Sequence, residues 1–255
     1  MSAGAFLVFA GIDTSSAVEY LWKRRTSYMK KAAAYFTKTE LVLWLGSVLL
    51  IVTSFCLFDR ESYLTLIASL IGVTSLIFAA KGNPVSQALM IVFSILYGII
   101  SFSFAYYGEM ITYLGMTLPM SVIALVAWLR HPYKGKKAEV QVNHIGKKDM
   151  VCGVILTTVV TVAFYFILDA FDTANLVPST ISVTTSFLAV FLTFRRSPYY
   201  ALAYAVNDVV LIVLWVLASL EDIHYVSVVV CFVVFLVNDL YGFISWRRMA
   251  RRQGV

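Results

Sequence analysis

Two asparagine–aspartate pairs lie inside long apolar runs near the C-terminus, and they are the residues of this chain best suited to chemistry. Asn207-Asp208 interrupts one run and Asn238-Asp239 interrupts the next, and no Lys or Arg lies within residues 197–246. A carboxylate inside a membrane-spanning segment costs a few kcal/mol and usually faces a bundle interior or a water-filled cavity. The two pairs therefore predict a polar site within a membrane.

The side chains around the pairs indicate what such a site would bind. Without an internal basic partner, each aspartate must be protonated, hydrated or paired with a cation that arrives from outside. Trp215, Tyr204 and Tyr241 lie near the pairs along the chain, and aromatic faces attract a positively charged ring. Asparagine amides offer a donor and an acceptor together. A flat, polar solute fits this inventory, and a cationic one would also meet the aspartates.

The candidate binding residues share these features, and their roles divide by chemistry. Carboxylates are expected to meet positive charge, amides the polar substituents, and aromatic side chains the ring. The candidates are Asn207, Asp208, Trp215, Tyr204, Asn238, Asp239 and Tyr241, with Gln87, Tyr97, Ser182 and Thr185 from earlier spans. A purely structural role stays open, because interhelical hydrogen bonds in membranes contribute roughly 0.6–2 kcal/mol. No cofactor, metal ligand or catalytic residue is expected.

Composition identifies the setting as a membrane. The 255 residues are 60% apolar and 13% charged, against roughly 45–50% and 25% in soluble domains. About 20 apolar residues cross a bilayer as a helix, and the runs are continuous rather than alternating, which favours helices over a barrel. Eight spans are predicted, over residues 41–58, 62–80, 87–107, 109–130, 150–170, 177–195, 198–218 and 223–246.

The distribution of charge predicts the orientation of these spans. If the N-terminus is cytoplasmic, all of the 20 basic residues except Arg60 fall in inner segments. Orientation follows the Lys/Arg bias of short loops, so both termini are predicted to be cytoplasmic. The basic patches then contact anionic membrane lipid, and no nucleic-acid partner is expected.

A weak internal repeat divides the chain. The motif Lys81 to Pro84 recurs 114 positions later as Arg195 to Pro198, each time before an apolar run. Trp128 followed by basic residues closes the first unit, as Trp246 closes the second. Since three crossings and one linking helix separate the copies, both enter the membrane in the same direction. Such parallel repeats occur in transporters whose substrate sites lie at the repeat interface.

These signals together predict the domain boundaries. Residues 131–149 are rich in Lys and contain Gly, which is typical of a solvated linker, and Pro119 is expected to kink the fourth span. Residues 17–36 suit a helix on the inner membrane face or a disordered basic tail. The segments are a cytoplasmic N-terminal segment 1–38, a peripheral first transmembrane helix 39–61, the first three-helix repeat 62–130, a cytoplasmic loop 131–149, a linker helix 150–175, the second three-helix repeat 176–246 and a basic tail 247–255.

Three stretches give the chain a family resemblance. KGNPVSQALMIVFSILYG, YLGMTLPMSVIALVAWLRHPY and the closing NDLYGFISWRR resemble the PnuC family of vitamin transporters, over roughly residues 40–250. The resemblance implies an all-α polytopic membrane protein of eight transmembrane helices, with two parallel three-helix repeats joined by a linker helix in a SWEET-like architecture. It also implies a trimer in the bacterial inner membrane. Members carry nicotinamide riboside by facilitated diffusion, while a cytoplasmic kinase traps the product as its phosphate.

The substrate is less firmly indicated than the family. Phe93 and Ser121 stand where asparagines are expected, and Leu125 stands where an aromatic residue is common. Relatives carry thiamine, riboflavin or deoxynucleosides, so these remain alternatives to the riboside, as does a proton-coupled carrier. An intramembrane aspartyl enzyme is the rival from another class, since the chain has two intramembrane aspartates but no recognisable catalytic motif.

Overall fold

The computed structural model describes residues 22, 35–103, 107–173 and 175–255, and the chain divides into two compact units, residues 1–43 and 44–255. The interfacial segment expected over residues 17–36 lies outside the described residues except for Trp22, Tyr35 and Phe36. In the first unit, Thr37 and Glu40 exchange side-chain-to-backbone hydrogen bonds of 2.7 and 3.2 Å. This capping box fixes where the first helix begins.

Helices make up nearly all of the described chain. They are α1 (Lys38–Phe58), α2 (Tyr63–Ala80), α3 (Val85–Ser103), α4 (Tyr107–Ile111), a π-helical segment (Thr112–Thr117), α5 (Leu118–Arg130), α6 (Lys147–Ala170), α7 (Leu176–Phe194), α8 (Tyr200–Ser219), a 3-10 turn (Ile223–Tyr225) and α9 (Val226–Gln253). Two short antiparallel strands, β1 (Pro132–Tyr133) and β2 (Lys136–Val140), lie between α5 and α6.

The membrane prediction is confirmed. Among the described residues, eight helical segments are long and apolar enough to span a bilayer, with α4, the π segment and α5 acting as one. The spans containing α1 and α6 bury only 17% and 11% of their apolar windows, so these helices present most of their surface to lipid. The last helix differs from the expected basic tail over 247–255, because α9 continues to Gln253 and buries Met249 and Ala250.

The fourth span is irregular next to Pro119. The amide of Leu118 donates to the carbonyl of Tyr113, the wider spacing of a π-helix. Pro119 has no backbone N–H, so the ordinary hydrogen-bonding pattern cannot continue through it. The departure from a regular α-helix expected at this proline is therefore a π segment, which turns Tyr113 into the protein interior, where it is 8% exposed.

Two turns of the same geometry join α2 to α3 and α7 to α8. In the first, Gly82 has φ of 64°, and in the second Arg196 has φ of 56°. The next residue of each turn, Asn83 or Ser197, donates its N–H over 3.0 Å to a carbonyl five residues earlier. The side chains of Asn83 and Ser197 then accept hydrogen bonds from the backbone two residues later, at 3.0 and 3.3 Å. The two turns correspond position by position.

Two tryptophans, one near the end of α5 and one in α9, donate hydrogen bonds to α7 and α2 just before these turns. The indole of Trp128 donates to the carbonyl of Thr193 at 2.9 Å, and that of Trp246 donates to the carbonyl of Ala79 at 2.7 Å. Both rings are 0% exposed and their centroids lie 5.4 Å apart. Each half of the chain thus supplies a tryptophan to the other half.

We call the end of the protein at which these turns and tryptophans lie the basic end, because Lys81, Arg130, Arg195 and Arg247 lie near it. The opposite, acidic end has Asp59, Glu109, Asp172 and Glu221 nearby.

The loop after α5 packs against the protein more than its sequence predicts. Val140 and Val142 are 0% and 3% exposed, so the expectation of a wholly solvated linker is wrong for this part. The amide of Val140 donates to the carbonyl of Gly82 at 2.8 Å, and that of Asn143 donates to the carbonyl of Arg196 at 3.0 Å. Residues 139–143, which we call the clasp, therefore bind corresponding positions of both turns.

The end of α9 holds the clasp through one glutamine. Gln253 donates to the Glu139 carboxylate at 2.9 Å and to the Val140 carbonyl at 3.2 Å, and it accepts from the Val142 amide at 2.8 Å.

We predict that Gln253→Ala lowers the free energy of unfolding by about 1–3 kcal/mol, because it leaves buried backbone groups unpaired. Thermal unfolding in detergent measures this. Gln141→Ala, a matched change at an exposed side chain, should have no measurable effect, and equal melting temperatures for the two variants would contradict the assignment.

Candidate functional site

The two aspartates meet in the interior of the second half of the chain. Asp208 on α8 and Asp239 on α9 are each 4% exposed, and their carboxyl groups form a hydrogen bond with each other. The structure therefore brings these two candidate residues together. Asp208 Oδ2 is buried and has no hydrogen-bond partner among the described residues. A buried acceptor of this kind is costly unless a ligand or water satisfies it.

Asn207 is held by hydroxyl groups of α7. Its Oδ1 accepts hydrogen bonds from Thr185 Oγ1 at 2.8 Å and from Ser186 Oγ at 2.9 Å. The structure thus brings together two predicted residues, Asn207 and Thr185, and adds Ser186, which the sequence analysis did not single out. Because its oxygen is occupied, Asn207 offers its amide N–H groups to any solute that reaches it.

Asn238 points to a different neighbour. Its Nδ2 donates to Ser47 Oγ of α1 at 2.9 Å and to the carbonyl of Val234 at 2.8 Å, while its Oδ1 is buried without a partner among the described residues. Part of its role is therefore to bond α1 to α9, the structural alternative that the sequence left open. Tyr241 is half-buried two positions beyond Asp239, and residues two apart on a helix face different directions.

An aromatic cluster adjoins the aspartates on the side of the acidic end. Tyr97 is its centre, with ring centroids 4.3 Å from Tyr113, 5.5 Å from Phe93, 6.1 Å from Phe232 and 6.4 Å from Trp215. The two predicted residues Tyr97 and Trp215 thus meet, although they come from different halves of the chain. Tyr113 lies close enough to interact electrostatically with both Asp208 and Glu109.

The remaining predicted residues occupy less central positions. Tyr204 is half-buried and close enough to both aspartates to interact with their charges. Ser182 is 2% exposed, and its carbonyl oxygen lies 3.1 Å from Thr185 Oγ1. Gln87 is 6% exposed in the first turn of α3, where its amide lies 3.4 Å from Ser86 Oγ. No direct contact joins Gln87 to the aspartates.

In the first half of the chain, the positions that correspond to Asn207 and Asp208 carry no carboxyl group. Counting from the matched turns, Ser94 on α3 corresponds to Asp208 and Phe93 corresponds to Asn207. Ser94 is 0% exposed and donates to the Met90 carbonyl at 2.8 Å, while Phe93 joins the aromatic cluster. The candidate site is therefore asymmetric, with its charge in the second half and much of its aromatic surface in the first.

A cavity of about 370 Å³ opens at the acidic end. It is lined by Tyr107, Gly108, Glu109, Phe171, Asp172, Thr173, Asn175, Ser179, Leu214, Trp215, Leu217, Ala218 and Glu221. Trp215 belongs both to this lining and to the aromatic cluster, so the cavity leads to the cluster. A cavity of about 600 Å³ at the basic end is lined by residues of α6, α7 and α9, and none of the predicted binding residues is among them.

Sequence reasoning missed three parts of this site. Tyr113 reaches the cluster through the π segment, which hydropathy does not reveal. Ser47 lies in the helix that the sequence predicts to be peripheral, and Glu109 is not among the candidate residues. A carboxylate at the start of an apolar span was the one available signal for Glu109.

Known proteins resemble the chain over most of its length. Residues 62–248 match the model of the family described as nicotinamide mononucleotide transporter. A nicotinamide riboside transporter PnuC of Neisseria mucosa is 25% identical over 215 residues, which cover 82% of this chain and 81% of that protein. A crystal structure of the vitamin B3 transporter PnuC superposes with a TM-score of 0.74 at 23% identity, covering 86% of this chain and 94% of the other. The chain therefore belongs to the PnuC family of nicotinamide mononucleotide transporters.

Proposed function

We propose that the chain carries nicotinamide riboside into the cell by facilitated diffusion, and that a cytoplasmic kinase traps the product by phosphorylation. The membrane would be the bacterial inner membrane, with both termini and the basic end on the cytoplasmic side. The charge distribution supports this orientation, since all of the 20 basic residues except Arg60 belong to segments assigned to that side. A trimeric assembly is proposed from the family resemblance alone.

The observation that carries the substrate assignment is the contact between Asp208 and Asp239. The two buried carboxyl groups face each other, and no Lys or Arg lies within residues 197–246, which contain both aspartates. The positively charged ring of the riboside would supply the missing partner. Its carboxamide and ribose would supply hydrogen-bond donors for Asp208 Oδ2 and Asn238 Oδ1, two of the buried polar atoms that lack partners among the described residues.

Alternating access would move the solute past this site. We propose that the two halves are parallel three-helix repeats, residues 62–130 and 176–246, which rock against each other around a midplane site. The matched turns and the reciprocal tryptophan bonds support this repeat. The cavity that includes Trp215 lies at the acidic end, whereas the clasp and both tryptophans join the halves at the basic end. This favours an outward-facing state.

Calorimetric titration of the purified protein tests the substrate. Nicotinamide riboside, thiamine, riboflavin and thymidine are each titrated into the native protein and into Asp208→Asn and Asn238→Ala. We expect saturable heat with the riboside alone and its loss in Asp208→Asn. Selective binding of another solute would reassign the cargo. Absence of binding by folded protein to all four would refute the proposed function.

We predict that transport does not depend on a proton gradient. Initial uptake of the riboside into proteoliposomes should be unchanged, within about a factor of two, when a protonophore collapses an imposed gradient. The membrane potential is clamped in both arms, because the solute is itself a cation and would respond to a potential. A rate that falls with the gradient would favour the proton-coupled carrier, for which hydrogen-bonded carboxyl groups are a suitable proton site.

The alternative function is that of an intramembrane aspartyl enzyme, and the contact between the carboxyl groups of Asp208 and Asp239 is the observation that favours it. Two carboxyl groups that share a proton are the arrangement used by aspartic proteases. Incubation with membrane-embedded peptides distinguishes the two activities: an enzyme gives a cleavage product that disappears in Asp239→Asn, whereas a carrier gives no product.

A further inference from the structure

The cavity at the acidic end has a chemistry of its own. Among the described residues that line it, Glu109, Asp172 and Glu221 are acidic and none is basic. Asp172 and Glu221 are exposed, whereas Glu109 is partly covered. Charge of one sign in a cleft with low-dielectric walls raises the local concentration of the opposite ion.

Two residues that line this cavity, Glu109 and Thr173, each have a buried side-chain oxygen without a partner among the described residues, namely Oε2 and Oγ1. Asp222, another carboxylate at this end, is by contrast engaged: it accepts from the backbone of His224 at 3.0 Å and contacts its ring at 2.6 Å, which holds the pKa of Asp222 below its ordinary value. Buried polar groups in proteins are normally satisfied. The Glu109 carboxylate therefore indicates a cationic occupant of the cavity.

The cavity has the size of a small-molecule site and an aromatic wall. Trp215 forms part of its wall, and Gly108 lies where an added Cβ would come within 2.7 Å of Thr173 and 2.8 Å of Leu168. Its volume of about 370 Å³ falls within the usual 300–1,000 Å³ of small-molecule sites. Aromatic side chains beside a carboxylate suit a flat cation, because both attract positive charge.

The geometry connects this cavity to the aspartates. Trp215 lies seven residues after Asp208 on α8, about 10 Å along the helix and on a similar face. Tyr113 lies close enough to both Glu109 and Asp208 to interact with their charges. A cation leaving Glu109 would therefore reach the aspartates by passing the Tyr97, Tyr113 and Trp215 rings.

We propose that the acidic-end cavity is a separate first binding site for a flat organic cation, in which Glu109 supplies the counter-charge and Trp215 the aromatic wall. Selection for positive charge thus begins before the solute reaches Asp208 and Asp239. This proposal rests on the proposed transport of the riboside for its physiological meaning, but the site can be tested without transport.

The test compares two forms of one solute. Nicotinamide riboside has a cationic pyridinium ring, and its reduced dihydropyridine form has nearly the same shape without the charge. In proteoliposomes, Glu109→Gln should raise KM for the cationic form roughly ten-fold and leave its limiting rate within about two-fold. KM for the reduced form should not change. Glu61→Gln removes a charge from an exposed residue of the acidic end that does not line the cavity, and it should behave as the native protein.

The outcomes separate this proposal from the proposed function. Suppose that the native protein takes up riboside, and that Glu109→Gln changes KM for both forms equally or for neither form. This result overturns the first site and leaves the transport function standing. If the native protein carries no riboside, the transport function falls, and quenching of tryptophan fluorescence by 1-methylnicotinamide decides the site. Saturable quenching that is lost in Glu109→Gln supports it; absent quenching, or quenching unchanged in Trp215→Phe, overturns it.

Discussion

Replacing Asp208 by asparagine is expected to reduce riboside uptake by roughly 30-fold or more, since losing one member of a desolvated charge pair costs about 2–5 kcal/mol. Asparagine has nearly the same volume and still hydrogen-bonds, so the buried contact with Asp239 can persist while the negative charge is removed. The loss should therefore appear in transport rather than in folding. Initial rates of uptake into proteoliposomes measure it, and the thermal midpoint in detergent confirms that the variant is folded.

Asp222→Asn is the matched control for this experiment. It makes the same chemical change at an exposed aspartate of the acidic end, so uptake should stay within about two-fold of the native rate. A folded Asp208→Asn protein that still carries the cationic riboside at the native rate would show that the aspartate pair does not bind the cargo.

Trp246→Ala is expected to give the largest loss of stability. The ring is 0% exposed, donates to Ala79, and packs 5.4 Å from Trp128 and 4.8 Å from Tyr200. Truncating a buried Trp costs about 3–5 kcal/mol, which corresponds to roughly 6–20 °C in the melting temperature of a chain of this size. The melting temperature of Trp246→Phe should fall between those of the native protein and Trp246→Ala, because phenylalanine keeps most of the packing and loses the hydrogen bond.

Differential scanning fluorimetry in detergent measures these shifts. Phe166→Ala provides the control, because that ring is 64% exposed on the lipid-facing side of α6, and its removal should change the melting temperature little. A Trp246→Ala protein as stable as Phe166→Ala would mean that the reciprocal tryptophan contacts do not hold the two halves together.

The eight spans could be read from sequence because each depends only on a local property. A helix in lipid satisfies its own backbone and needs about 20 apolar residues, so hydropathy alone located the eight spans within a few residues, except for the end of α9, which continues to Gln253. The matched turns at Gly82 and Arg196 follow the sequence motif from which the repeat was predicted.

The features that sequence did not reveal depend on distant partners. Val140 looks solvated among lysines, and its burial becomes visible only once the first turn and the end of α9 are in place around it. The π segment that turns Tyr113 inward depends on how the fourth span packs. Asn238 was predicted to face a solute, yet its amide bonds Ser47, a residue 191 positions away, which helical periodicity within α9 could not show.

We expect the choice of substrate to depend on the asymmetry between the two halves. Asp208 corresponds to Ser94, and Asn207 to Phe93, so one half offers charge while the other offers aromatic surface. A cationic ring has use for both, because the carboxylates neutralise it and the rings stack on it. A neutral nucleoside would bring no positive charge to the two carboxyl groups.

Uptake of labelled nicotinamide riboside into proteoliposomes tests the central claim most directly. Native protein should give saturable uptake above protein-free liposomes, which excess unlabelled riboside abolishes and the uncharged reduced form inhibits more weakly. Folded native protein that gives no uptake above the protein-free level would contradict the claim that this chain carries a cationic vitamin past its buried aspartate pair.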